Sequence, residues 1–157
     1  MAISADILKD LKQPDISSID GLLNAAIGED SRKIVVLDDD PTGVQTVHDI
    51  YVYTGWDSDS LLDGFRSENK LYFILTNSRG FTEEETIKAH KEIAAAVMEA
   101  SRETGRDYIL ISRSDSTLRG HYPLETEVLK SEIEANSDKR FDGRYSARSS
   151  KRADASR

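Results

Sequence analysis

The stretch Lys33-Ile34-Val35-Val36-Leu37-Asp38-Asp39-Asp40-Pro41-Thr42-Gly43 decides how this chain folds. The run from Lys33 to Leu37 is short and largely β-branched, which suits a strand buried on both faces. Three aspartates, a proline and a glycine then terminate it. Two other runs share that design. Lys70-Leu71-Tyr72-Phe73-Ile74-Leu75 ends in Thr76-Asn77-Ser78-Arg79-Gly80, and Asp107-Tyr108-Ile109-Leu110-Ile111 ends in Ser112-Arg113-Ser114-Asp115-Ser116-Thr117. Ile50-Tyr51-Val52-Tyr53-Thr54 reads as one more strand, without a comparable polar ending.

Helices are expected around these strands. Thr82 with Glu85 three residues on is a capping-box signature, and Glu83 and Glu84 suit the positive end of a helix dipole. Ile87, His90, Ile93, Ala94, Val97 and Met98 form its apolar stripe, and Gly105 stands where a C-terminal stop belongs. Residues 4–26 read as a helical segment interrupted near Pro14, with Ile7, Leu8, Leu11, Ile19, Leu22, Leu23 and Ile27 at helical spacings. Pro123 opens a last helix running to about Ala135. Strands separated by a long amphipathic helix imply crossover connections. The expected class is α/β, an open and mostly parallel sheet with flanking helices.

Composition narrows the function classes. The chain has 157 residues, with 29 acids against 21 bases and a formal net charge of −8. That balance argues against nucleic acid or an anionic membrane as partner. Without cysteine there is no disulfide, thiolate metal site or thiol nucleophile. No signal-peptide core and no run of about 20 apolar residues is present, so a soluble, cytoplasmic protein is expected. Residues 139–157 differ from the rest, with seven bases and two acids, and they lack Leu, Ile, Val and Met. Residues 1–138 then carry 14 bases and 27 acids, a net of −13. The basic tail is expected to be disordered. The abrupt change suggests a coding sequence cut or shifted in frame near residue 143.

In open parallel sheets, ligands bind beyond the carboxyl ends of the strands. The clusters at three such ends combine carboxylates with guanidiniums, which suits a small polyhydroxylated acid. Arginine pairs a carboxylate with two prongs, while aspartate accepts hydrogen bonds from vicinal hydroxyls. Each cluster also has a plain structural reading. Asp40-Pro41-Thr42-Gly43 is a turn, Ser78 or Thr82 a helix cap, and Arg113 with Asp115 a surface ion pair. His48 and His121 read as loop residues and His90 as part of a helix stripe, with no metal-ligand spacing. Trp56 and the tyrosines read as packing. Recurrence at successive strand ends favours a site. Neither GxxxxGK[ST] nor GxGxxG is present, so no nucleotide site is expected in this chain.

Three blocks carry a resemblance: Leu37 to Asp49, Leu75 to Arg79, and Ser112 to Thr126 with its Ser112-Arg113-Ser114-Asp115-Ser116-Thr117-Leu118-Arg119-Gly120-His121-Tyr122-Pro123 core. Together they resemble the N-terminal domain of the four-carbon acid sugar kinase family, over roughly residues 30–143. The resemblance implies ATP-dependent phosphorylation of threonate- or erythronate-type sugar acids. It implies a sugar-acid-binding domain over residues 1–138 and a separate C-terminal domain that holds ATP and Mg²⁺, whose site is not in this chain. By position, Asp39 is the catalytic candidate and lies against the substrate with Asp40. Arg79 matches the arginine facing the substrate carboxylate. Arg113, Ser114, Asp115 and Ser116 match a substrate-contacting segment, in which some members have lysine at the position of Arg113. A basic tail stands where family members continue into the ATP domain, so the chain is expected to be inactive alone.

Two other readings stay open. Asp38-x-Asp40-x-Thr42 after an apolar strand also satisfies the nucleophile motif of a haloacid-dehalogenase-type, Mg²⁺-dependent phosphatase, with Asp38 attacking phosphorus. Thr76 or Ser78 would then supply the second motif. The chain could equally be a non-catalytic sugar-acid-binding fragment. Which sugar acid is bound, and the oligomeric state, are not legible.

Overall fold

A computed structural model of the chain describes residues 16–44, 47–114 and 119–143. It divides into two compact units, Met1–Ser31 and Arg32–Arg157. In the first, helix α1 (Ile16–Glu29) leaves Ile19, Leu22, Leu23 and Ile27 exposed. Residues 4–15 of the expected N-terminal helix lie outside the described residues. So does the basic tail from residue 144 onward.

The second unit carries strands β1 (Lys33–Asp38), β2 (Tyr51–Tyr53), β3 (Leu71–Leu75) and β4 (Tyr108–Arg113). Its helices are α2 (Ser58–Arg66), α3 (Glu83–Thr104) and α4 (Leu124–Asn136). The strands form one sheet in the order β2-β3-β1-β4, and every pairing is parallel. This is the expected α/β architecture. The strand with the most continuous β-branched run, β1, is flanked on both sides and is buried at five of its six positions. Alternation sorts its side chains. Val35 and Leu37 join Tyr72 and Ile74 in a core with Leu61 and Phe65 of α2, Ile93 and Val97 of α3, and Leu129 and Ile133 of α4. Val36 and Phe73, of the opposite parity, are also buried.

Helix α3 starts as its sequence predicts. Thr82 Oγ1 accepts from the Glu85 backbone N–H at 3.2 Å, and Glu85 Oε2 accepts from the Thr82 N–H at 2.8 Å. Gly105 ends it at φ 66°, a left-handed conformation that glycine adopts without a Cβ penalty. Its buried face is broader than the apolar stripe, taking in Thr86, Ala89, Ala96 and Ala100, while Ile87 and Met98 are half-buried. Pro123 stands at the N-cap of α4, one residue before its first turn.

Helix α2 was not legible as a helix. It has nine residues, and Gly64 interrupts it where a helix former would be expected. Packing explains the glycine. A Cβ at residue 64 would stand 2.9 Å from Tyr72 Cζ, so only glycine lets the helix approach the β3 ring so closely. The turn after α2 is held from the sheet. Lys33 Nζ, buried at the start of β1, donates to Ser67 O at 2.6 Å and also to Asn69 O. Arg106 Nη1 adds bonds to Phe65 O and Ser67 O at 3.0 and 3.2 Å. Burial and the neighbouring Arg106 charge lower the Lys33 pKa.

Residues 139–143, the beginning of the basic segment, make contacts of their own. Lys139 Nζ pairs with Asp107 and lies 4.4 Å from the centroid of the Tyr108 ring, and the Phe141 N–H donates to Glu134 Oε1 at 2.8 Å.

Substituting Gly64→Ala drives a methyl into the Tyr72 ring. The variant is expected to lose about 1–3 kcal/mol of stability in urea unfolding. Pairing it with Tyr72→Leu should recover part of that loss, whereas an unchanged midpoint in the single variant would contradict the close approach.

Candidate functional site

Parallel pairing brings three polar strand ends to one edge. Asp38 is in register with Leu75 of β3 on one side and with Arg113 of β4 on the other. The connections also diverge there. β1 leads to β2 in one direction along the sheet, whereas β3 crosses past β1 to β4 in the other. A crevice for ligands forms where connections part in this way.

The carboxylate of Asp38 organises this edge. Asp38 is 1% exposed, and its Oδ1 accepts from Arg113 Nη1 at 2.7 Å and from the Asp40 backbone N–H at 3.3 Å. Its Oδ2 is buried with no hydrogen-bond partner among the described residues. Burial raises the Asp38 pKa, opposed by the hydrogen bond and positive charge of Arg113. Its backbone is equally committed, because Asp38 O accepts from Thr76 N at 2.8 Å and Thr76 Oγ1 at 3.0 Å.

Arg79 pairs through Nη1 with Asp40 Oδ2, while Asp40 Oδ1 accepts from the Thr42 N–H at 2.9 Å. The side chain of Arg79 is 30% exposed and that of Arg113 is 46% exposed. Both arginine side chains are thus partly exposed beside a carboxylate buried or nearly so. Asp39 is buried, and its N–H donates to Arg113 O at 3.3 Å. Ser114 follows β4, its Oγ buried without a hydrogen-bond partner among the described residues.

Asp39, Asp40, Arg79, Arg113 and Ser114 therefore share one end of the sheet. Asp115 and Ser116 lie outside the described residues. Arg113 pairs with Asp38 across the sheet, and of the two cap candidates Thr82 is the one that caps α3. Ser78 begins a short 3-10 turn, Ser78–Gly80, after Asn77 at φ 55°. Of the histidines, His90 lies buried on α3 with Nδ1 2.8 Å from Thr86 O, and His121 Nε2 lies 2.9 Å from Phe81 O. Among the described residues no group of three or more His, Asp or Glu converges as metal ligands would.

Sequence reasoning missed the polar layer beneath the arginines. Thr76 Oγ1 lies 3.0 Å from Ser78 Oγ, and both side chains are buried. Glu125, in the first turn of α4, is 1% exposed and reaches Ser78 and Ser112. One signal was available: the dipeptide Ser-Arg recurs in two polar segments, as Ser78-Arg79 in the turn after β3 and Ser112-Arg113 at the end of β4.

Replacing Arg113 by Ala removes the partner of a buried carboxylate. The expected loss at neutral pH is about 2–3 kcal/mol, below the ~3–5 of a fully buried pair because Arg113 is half exposed. A raised carboxyl pKa favours the protonated form in the folded state, so its stabilising contribution is present at acid pH and lost as pH rises through the folded pKa. The variant raises that pKa further. Its deficit against the wild type should shrink as pH falls toward the ordinary aspartate range, which urea unfolding between neutral and acid pH checks.

Residues 34–138 match the family model described as the sugar-binding N-terminal domain, a span from β1 through α4 that contains every residue of this edge. No curated protein and no solved structure matches the chain. The match covers two thirds of the sequence and agrees with the resemblance to the N-terminal domain of four-carbon acid sugar kinases. The chain belongs to the sugar-binding N-terminal domain family.

Proposed function

We propose that this chain is the sugar-acid-binding part of an ATP-dependent kinase acting on four-carbon acids of the threonate or erythronate type. One observation carries the reading: two partly exposed arginines, Arg79 and Arg113, stand with three aspartates at a single end of a parallel sheet. Each arginine already pairs with an aspartate. A guanidinium has five donors, so one carboxylate does not exhaust it. In this reading Arg79 takes the substrate carboxylate with Arg113 beside it. Asp39, Asp40, Ser114, Asp115 and Ser116 read the hydroxyls, and Asp39 orients or deprotonates the hydroxyl to be phosphorylated.

ATP and Mg²⁺ enter as the co-substrate and ion of the full-length enzyme. The residues described here do not fit either. Asp38 and Asp40 are engaged by arginines, no metal-ligand group converges among the described residues, and no glycine-rich phosphate loop follows a strand. A separate domain would have to hold both, and no step through them is derived. A phosphatase with Asp38 as nucleophile needs an oxygen that a phosphate can approach in line. The burial of Asp38 and its bond to Arg113 weigh against that role.

Calorimetry with threonate and erythronate tests the binding site. Arg79→Ala should weaken the preferred acid by about 2–5 kcal/mol, toward the lower end because Arg79 is partly exposed. Equal affinities for wild type and variant would reject the assignment.

A coupled ADP-release assay tests the division of labour. The 157-residue chain is expected to release no ADP in response to four-carbon acids, since its sequence carries no glycine-rich phosphate loop. Mg²⁺-dependent hydrolysis of a generic phosphate ester, abolished by Asp38→Asn, would favour the phosphatase instead.

A further inference from the structure

From this geometry we infer that Glu125 is a positioning residue, one buried carboxylate that sets the placement of both site arginines. Its Oε1 accepts from Ser78 Oγ at 3.3 Å and its Oε2 from Ser112 Oγ at 3.4 Å. Each of those serines immediately precedes an arginine of the edge, Arg79 in one case and Arg113 in the other. The two strand ends are not adjacent, because β1 lies between β3 and β4. Glu125 therefore ties the two flanking segments together across the end of the central strand.

The physical case rests on burial. Glu125 and Ser78 are each 1% exposed, so water is kept from the bond between them, while the Ser112 bond is partly buried. Both are longer than the usual hydroxyl–carboxylate contact of about 2.7–2.8 Å. Among the described residues, however, these two hydroxyls are the ones that reach the carboxylate. Glu125 sits in the first turn of α4, where the helix dipole favours a negative charge. Helix α4 is itself seated in the core through Leu129 and Ile133. Packing of α4 is thereby converted into a fixed separation of two guanidiniums, each of which also holds its own aspartate. The functional meaning of that separation rests on the proposed reading, in which the arginines meet a sugar acid. The positioning itself does not.

The test therefore uses a readout that needs no ligand. Nitrogen-15 spectra of the arginine Nε–Hε groups in the 157-residue chain report how firmly Arg79 and Arg113 are held. Removing one hydrogen bond should speed exchange of the affected Nε–H about fivefold. Ser78→Ala is expected to loosen Arg79 and leave Arg113 unchanged. Ser112→Ala should do the reverse. Glu125→Ala should loosen both, and Glu125→Gln, which can still bridge two hydroxyls, should restore most of the effect. If Glu125→Ala fails to fold, the two serine variants decide alone. Serine variants that disturb both arginines equally, or neither, would overturn the inference, because a merely structural carboxylate predicts no such selectivity. Calorimetry of the wild type with threonate and erythronate runs in parallel. No binding of either acid, with the selective loosening intact, counts against the proposed function and leaves the positioning role standing. Binding without selectivity does the opposite.

Discussion

A carboxylate that is almost wholly withdrawn from water at the end of the central strand constrains everything around it. Asp38 cannot be left uncompensated there, since an isolated buried charge would neutralise itself or unfold its surroundings. Its compensation comes from β4, through Arg113 at 2.7 Å, and from the chain that follows β1, through the Asp40 N–H. The first requires β4 to run parallel to β1 in the register that sets Asp38 against Arg113, and the second is local to the turn after β1. The turn after β3 is tied to the same residue, with Thr76 donating twice to Asp38 O. Register, loop conformation and electrostatics at this edge are thus a single arrangement.

That arrangement leaves the cations, not the anions, facing solvent. Asp38, Asp39 and Asp40 are buried, while Arg79 and Arg113 keep roughly a third and a half of their side chains exposed. An edge rich in acids by sequence therefore offers guanidinium donors to whatever approaches. This polarity suits an acidic small molecule and makes the strongly negative composition of the chain a poor guide to its ligand. Glu125 adds a further buried acid to the layer beneath, working through hydroxyls rather than through direct ion pairs.

Legibility in the sequence followed how local each signal is. The β1, β3 and β4 runs, the Thr82 capping box and the Gly105 stop are written in neighbouring residues, and they stand where the patterns place them. Helix α2 escaped because its decisive residue, Gly64, answers to the Tyr72 ring and not to helix propensity. The pairing of Arg113 with Asp38 escaped for a similar reason, because the two stand 75 positions apart and only strand pairing brings them together. Glu125 was legible only as part of a long motif, since nothing in its spacing says that it turns inward.

By itself the sequence determined that the protein is an α/β fold with polar, chemistry-bearing strand ends, because buried parallel strands need continuous apolar runs and strand terminators are local. It also determined family membership, through blocks long enough to be distinctive. The tertiary structure alone decided which acids are buried, which cation each one meets, and which hydroxyls stand beneath the arginines. Those outcomes depend on register and on helix packing, where a one-residue slip reverses the face of every strand residue. Charge pairs form between groups that pairing brings together, whatever their distance along the chain.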